Sequence, residues 1–287
     1  MRILVALDRQ TYSAGIVNDV AKLAANTWAD VTLLGVQTSG GPVSLKDSLT
    51  QALLQYKKVF LSHFAAGDSP YSGSSESEII DAQKGRWVVG GGSQTGRKEL
   101  SLTIRQGDPT REILAEAEEQ ESDLIVLGCT GGSDCHWDGE PHLPQKIARQ
   151  APCSVLVVKE EKRPKRVVCC MDQAHISQES LEMINQIVTL HRADLKIIGL
   201  TGPKGLRGND EAEKKINDIV KYYMSRNIKT WIKLVKTEAL AAYAEQASHE
   251  GLIALWLGKK SLLKKIFFKD FVDELISTSR SSALILK

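Results

Sequence analysis

The chain has 287 residues, of which 42% are hydrophobic and 25% charged, with a formal net charge of +2; this balance excludes intrinsic disorder and fibrous repeats. Five cysteines, two of them adjacent inside the apolar run at Cys169 and Cys170, do not make the framework of a disulfide scaffold. Residues 165–287 hold 20 Lys and Arg against 14 Asp and Glu, so the first part of the chain is acidic and the second basic, but no nucleic-acid reading motif accompanies the basic part.

The chain opens with "RILVALD", Arg2 to Asp8, a continuous β-rich run suited to a strand covered on both faces. No apolar core and small-residue cleavage site follow it, which sets the expectation of a cytoplasmic protein. Ala14 to Trp28 places Ile16, Val17, Val20, Leu23 and Ala24 on one helical stripe. "VTLLGV" is strand again, and Leu45 to Phe64 reads as helix. The Gly- and Ser-rich stretch 65–98 reads as an insert. Its glycines between Gly85 and Lys98 lack the lysine and hydroxyl of a phosphate loop, so a hairpin or flap is expected, with Trp87 pinning it. "LSLTIRQG" is strand, "PTREILAEAEEQ" helix, "DLIVLG" strand, "PQKIARQ" helix and "SVLVV" strand.

A charged linker, Lys159 to Arg166, leads to a second copy of this order. "RILVALD" returns as "RVVCCMD" from Arg166, and "ADVTLLGVQT" from Ala29 returns as "ADLKIIGLTG" from Ala193, both at an offset of 164. "LIVLG", Leu124 to Gly128, matches "ALWLG", Ala254 to Gly258, at a shorter offset, which assigns the insert to the first copy. Strand–helix alternation requires crossover connections and a parallel sheet with helices on both faces. The reading is therefore α/β, with two tandem flavodoxin- or Rossmann-like domains, 1–160 and 165–287. Each is expected as a five-stranded parallel sheet, the two packed as a pseudo-dimer.

Ligands of such sheets sit at the carboxyl ends of the strands, where "LGCTGGSDCHWDGEPHLPQK", Leu127 to Lys146, follows a strand and precedes a helix. "RILVALD", "GDPTREILAEAEEQESDLIVLG" and "QKIARQAPCSVLVVK" together resemble the universal stress protein family in its tandem form. The resemblance implies a non-enzymatic stress or signalling factor, some of whose relatives bind ATP or AMP, with Mg2+, through Gly-x2-Gly-x9-Gly followed by Ser or Thr. Gly128 and Gly131 fit that pattern, whereas Pro141 and His142 stand at the last pair, and proline has no N–H for a phosphate. By the same resemblance Asp8 and Val36 would meet the nucleoside, Gly128, Thr130 and Gly131 the phosphates, and His142 the terminal phosphate. A competing reading of Asp8 is a carboxylate that caps the following helix. In the second copy Asp172 is kept, but Ser261 replaces the second glycine and Asp270 falls toward the phosphate position, so that copy reads as non-binding.

Other readings share these residues. Cys129, Cys135, His136 and His142 are candidate zinc ligands of a metal- or redox-responsive switch, although their spacing departs from C-x2–4-C and H-x3–5-H. Cys135 with His136 and Asp138 is a weak nucleophile set. Leu262 to Ile276 places Leu262, Leu263, Ile266, Phe267, Val272 and Leu275 close to one face with a lysine rim. It could meet a membrane or partner, but reads as the last helix of the second copy. A protein-interaction module is the alternative, with both copies empty of nucleotide and the insert or the basic helix contacting a partner; a homodimer is a separate expectation.

Overall fold

The computed structural model describes the chain except residues 39, 66–68, 72–77, 83–84, 91–96, 130–135, 138–139, 160–163, 174, 202–209, 259–260, 268 and 280; for 129, 136, 210–213, 265, 269 and 270 only the backbone is described. Backbone proximity divides it into two compact units, one holding the described residues up to Lys159, the other those from Pro164 on.

In the first unit the order is β1 (Arg2–Ala6), α1 (Tyr12–Thr27), β2 (Asp30–Gln37), α2 (Ser48–Leu61), β3 (Glu78–Asp81), β4 (Arg86–Gly90), β5 (Leu100–Gln106), α3 (Pro109–Glu119), β6 (Leu124–Cys129), β7 (His136–Trp137), β8 (Glu140–Pro141), α4 (Leu143–Gln150) and β9 (Ser154–Lys159). Strands run β9-β6-β1-β2-β5-β4-β3 across the sheet. The first five of these are parallel. Ile3 to Leu7 are all buried, because helices cover both faces, and this is why β1 is continuously apolar rather than alternating. The α1 stripe of Ile16, Val17, Val20, Leu23 and Ala24 is buried as its period requires. Asp108 accepts the Arg111 N–H at 2.8 Å and Pro109 occupies the first turn, which fixes the start of α3.

The insert departs from the five-stranded expectation. Its β3 and β4 form an antiparallel hairpin that continues the sheet beyond β5. Charge fastens it: Arg86 on β4 and Arg105 on β5 both reach Glu116 of α3, at 2.8 and 2.6 Å, and Arg105 also reaches Glu112 and Glu119. The Glu116 side chain is 0% exposed. Burial works to raise its pKa, but the hydrogen bonds from Arg86 and Arg105 hold it below the usual carboxylate range.

The second unit contains β10 (Arg166–Cys170), α5 (Gln178–His191), β11 (Asp194–Thr201), α6 (Asp210–Met224), β12 (Thr230–Lys236), a 3-10 turn (Thr237–Ala239), α7 (Leu240–Ser248), β13 (Leu252–Trp256), α8 (Leu263–Ile266), α9 (Lys269–Thr278) and β14 (Ala283–Leu286). Its sheet, β12-β11-β10-β13-β14, is wholly parallel, and repeats the order β5-β2-β1-β6-β9 of the first unit. The register repeats too: Arg2 lies opposite Asp30 and Arg166 opposite Asp194.

The last helix is not the single amphipathic helix expected from Leu262 to Ile276. It breaks at Phe267, whose backbone is extended, between α8 and α9. Leu263 and Phe267 lie on one side of a helix and Val272, Leu275 and Ile276 near the opposite side at about 100° per residue. All five are buried, and only a break lets both stripes face the core. Among the described residues no helix is long and apolar enough to cross a membrane.

Candidate functional site

At the carboxyl ends of β2 and β5 the first unit has a cleft of about 240 Å³, lined by Arg9, Val36, Gln37, Thr38, Asp47, Ser48, Leu49, Thr50, Ile104, Pro109 and Trp137. Parallel pairing explains its back wall. The Leu34 carbonyl accepts the Leu7 N–H at 2.9 Å toward β1, and the Gln37 carbonyl accepts the Gly107 N–H at 3.1 Å on the β5 side. Residues of a parallel strand alternate in the side to which their backbone groups bond. Val36 therefore presents its N–H and C=O on the β1 side, beyond the point where β1 ends. Among the described residues no hydrogen bond reaches that pair.

The second unit shows the same position closed. Leu200, 164 residues after Val36, donates its N–H to Gln173 Oε1 and accepts from Gln173 Nε2, both at 2.9 Å. Gln173 is buried and corresponds to Arg9 of the first unit. Gly199 allows this approach, because a Cβ there would stand 3.0 Å from Gln173 Oε1 and 2.9 Å from Leu234 Cδ2. Below it, buried Asp172 accepts from His175 Nδ1 at 2.9 Å and from the Leu262 N–H at 3.1 Å. The second site is thus filled by its own side chains.

Asp8 is 1% exposed. Its carboxylate accepts from the Gln10 N–H at 3.1 Å, from Ser13 Oγ at 2.7 Å and from the Tyr12 hydroxyl. Tyr56 donates to its carbonyl at 3.0 Å. These contacts tie the carboxylate to two side chains at the start of α1 and to the turn before it; the N-cap of α1 is Thr11, which has no side-chain cap hydrogen bond. Gly128 is buried at the end of β6, and a Cβ there would meet Ile16 Cδ1 at 2.4 Å and the Tyr12 ring at 2.5 Å. Close packing of α1 by itself demands glycine at 128. His142 is exposed, with a left-handed backbone at φ 60°, and precedes α4 without a side-chain cap. Pro144 falls within the first turn of α4, so Pro141 and Pro144 both withhold N–H donors there. Thr130, Gly131 and Cys135 lie outside the described residues, as do the side chains of Cys129 and His136, so three of the four expected zinc ligands are not described.

Two features of the cleft escaped the sequence reading. Trp137 on the short β7–β8 hairpin is 2% exposed, although it belongs to a polar loop. Its Nε1, like Oγ1 of the buried Thr50, has no hydrogen-bond partner among the described residues. The N-terminus of α2 also lacks a side-chain cap, because Asp47 accepts the Ser44 N–H at 2.6 Å instead. Arg9 lies nearby, 3.4 Å from Ser48 Oγ. The cleft thus combines an open backbone donor and acceptor at Val36 with buried polar atoms, on Thr50 and Trp137, that have no partner among the described residues, the few placed polar groups that a ligand pocket uses.

Comparisons with known proteins agree with this architecture. The model of the universal stress protein family matches residues 1–159. A universal stress protein of Methanothermobacter thermautotrophicus is 36% identical over 70 residues; the match covers 24% of this chain and 46% of that relative, so the chain spans about half the length of the curated relative it matches. Among solved structures, a universal stress protein of Archaeoglobus fulgidus DSM 4304 superposes with TM-score 0.55 at 13% identity, over 100% of this chain and 96% of its own. A functionally unknown protein of Pseudomonas aeruginosa PAO1 does so with TM-score 0.57 at 16% identity, over 100% and 92%. The cytoplasmic domain of a prokaryotic cation chloride cotransporter has TM-score 0.55 at 13% identity, over 99% and 94%. At these identities the structural likeness is one of fold.

Proposed function

We propose, for a chain that belongs to the universal stress protein family, a stress-response factor in which the first unit binds an adenine nucleotide and the second is a self-filled structural copy. One observation carries this reading. Gln173 closes the Leu200 backbone pair with a planar amide, one donor and one acceptor, and the equivalent pair at Val36 is left for a ligand edge of that pattern. The amidine edge of adenine, with its N–H and ring nitrogen, has it.

The base would lie in the cleft between Val36 and Trp137, within reach of the orphaned Thr50 hydroxyl. The phosphate end is supported less well. Pro141 and Pro144 offer no N–H, and Lys146 is held by Glu140 at 2.7 Å. Mg2+ would therefore be carried by the nucleotide's own phosphates, and the reading is of binding by the nucleoside, with AMP and ATP held about equally.

Titration calorimetry of AMP and ATP, with and without Mg2+, tests it on the full chain and on Arg9→Gln, which installs in the first unit the side chain that closes the second. The expected result is one site per chain, abolished by Arg9→Gln. Folded protein that takes up no nucleotide at millimolar concentration, or Arg9→Gln that binds undiminished, would refute the assignment.

A further inference from the structure

We infer that the β12 side of the second unit docks on an anionic membrane surface, with Trp231, Leu234 and Met224 entering the headgroup layer and a rim of lysines meeting the acidic lipids. β12 and β5 occupy the same place in the two units: Leu195 lies opposite Thr230 as Val31, 164 residues before it, lies opposite Leu100. In the first unit β4 pairs with β5 from outside, and Ile104 is 1% exposed. Its counterpart Leu234 is 40% exposed, with Trp231 at 42% and Met224, at the end of α6, at 63%. The second unit thus carries large apolar side chains in the open at a place that the first unit covers.

The charge around them is of one sign. From Ile219 to Thr237 the chain has five cations, Lys221, Arg226, Lys229, Lys233 and Lys236, and no Asp or Glu. All five are exposed. Arg226 is shared with Glu182 at 3.6 Å, which leaves the four lysines, and Asp218 and Glu238 flank the stretch at its two ends. Lys229 lies over the Trp231 ring at 4.7 Å, and Lys233 donates to the Tyr243 hydroxyl. Both partners are neutral, so neither contact cancels a charge.

Trp, Leu and Met tips rimmed by lysine suit the interface of an acidic bilayer, where apolar area and electrostatic attraction add. At about 3.3 Å per residue Trp231 and Leu234 stand roughly 10 Å apart along the strand. They point to opposite sides of the sheet, so a plane that meets the strand edge-on reaches both. Single-stranded nucleic acid also takes basic, aromatic surfaces, but it stacks its bases on open ring faces. Here Lys229 covers a face of Trp231 and Arg226 one of Tyr222, at 3.7 Å, while Leu234 and Met224 offer no ring.

Flotation of the full chain with phosphatidylcholine vesicles containing about 30% phosphatidylserine, against pure phosphatidylcholine, tests this. Binding is expected on the acidic vesicles alone and weakens as salt rises. Lys229→Glu/Lys236→Glu removes two attractions worth about fivefold each, so a loss of at least about 25-fold is expected. Trp231→Ser/Leu234→Ser, at unchanged charge, is expected to lose at least about tenfold. Both variants are first shown folded by circular dichroism. A wild-type chain that does not float with the acidic vesicles, equal flotation with pure phosphatidylcholine, or binding undiminished in either variant would overturn the inference. So would a single-stranded RNA oligonucleotide bound in place of the vesicles, or self-association in sedimentation velocity that the same substitutions abolish.

Discussion

Removing the Gln173 amide is the sharpest probe of the asymmetry between the two units. Gln173→Ala leaves the Leu200 N–H and C=O without the partners they hold at 2.9 Å, in a place where Gln173 itself is 5% exposed. An orphaned buried donor or acceptor costs about 1–3 kcal/mol. Water entering the vacated space recovers part of this, so the net loss is expected at about 2–4 kcal/mol. For a unit of this size that corresponds to a fall in Tm of roughly 8–15 °C. Denaturant unfolding of the full chain, followed by circular dichroism, measures the loss. The same variant turns the second unit into a copy of the open first site, so free adenine at millimolar concentration should restore part of the lost stability to Gln173→Ala and add nothing there in wild type. A loss below about 0.5 kcal/mol would refute the reasoning, because the amide would then be exchanging with water at no cost.

Other outcomes follow from the same coordinates. Glu116→Gln leaves Arg105 buried with its main partner neutralised, and is expected to cost about 3–5 kcal/mol, with the earliest hydrogen-exchange opening in β4. Because the Glu116 pKa is lowered in the folded state, its contribution is fully present above the ordinary value of 4.5 and lost as the pH falls through the depressed one; an acid titration of wild type against Glu116→Gln should show that difference vanish at low pH. Gly128→Ala, which drives a Cβ against Tyr12 and Ile16, should cost about 1–3 kcal/mol by overpacking, measured by denaturant unfolding. Cys169 and Cys170 are fully buried, and burial pushes the Cys170 thiol up to about 12 and that of Cys169 well above its ordinary value. A thiol reagent at pH 8 should label neither until the chain unfolds, as mass mapping of labelled peptides would show.

The strands were legible because a strand buried on both faces has nothing but apolar residues to display, and because the register of Arg2 with Asp30 is repeated by Arg166 with Asp194. The insert was expected over 65–98 with a hairpin or flap between Gly85 and Lys98; 91–96 lie outside the described residues, and the hairpin that forms pairs Glu78–Asp81 with Trp87–Gly90. That β3 and β4 would lengthen the sheet depends on Arg86 finding Glu116, 30 residues away, which no local pattern announces. The break at Phe267 has no glycine or proline to mark it and follows only from two opposed apolar stripes. Of the cleft, Val36 was visible as a position, whereas Asp8 and Gly128, named with it, are not among the lining residues. Gln173 stands 27 residues from the backbone it closes, and Trp137 is an aromatic in a polar loop whose burial is a property of the cleft, not of its sequence surroundings.

The engagement of Asp8 also bears on selectivity. A sugar hydroxyl arriving at this carboxylate finds it already accepting from Tyr12, Ser13 and the Gln10 N–H, so binding there trades one hydroxyl donor for another of similar strength and adds little free energy. A site of this kind discriminates poorly between ribose and deoxyribose. On the proposed reading, sorting among nucleotides would rest on the edge of the base, and the chain would respond to the pool of adenine compounds as a whole more than to the phosphorylation state or sugar of any one of them.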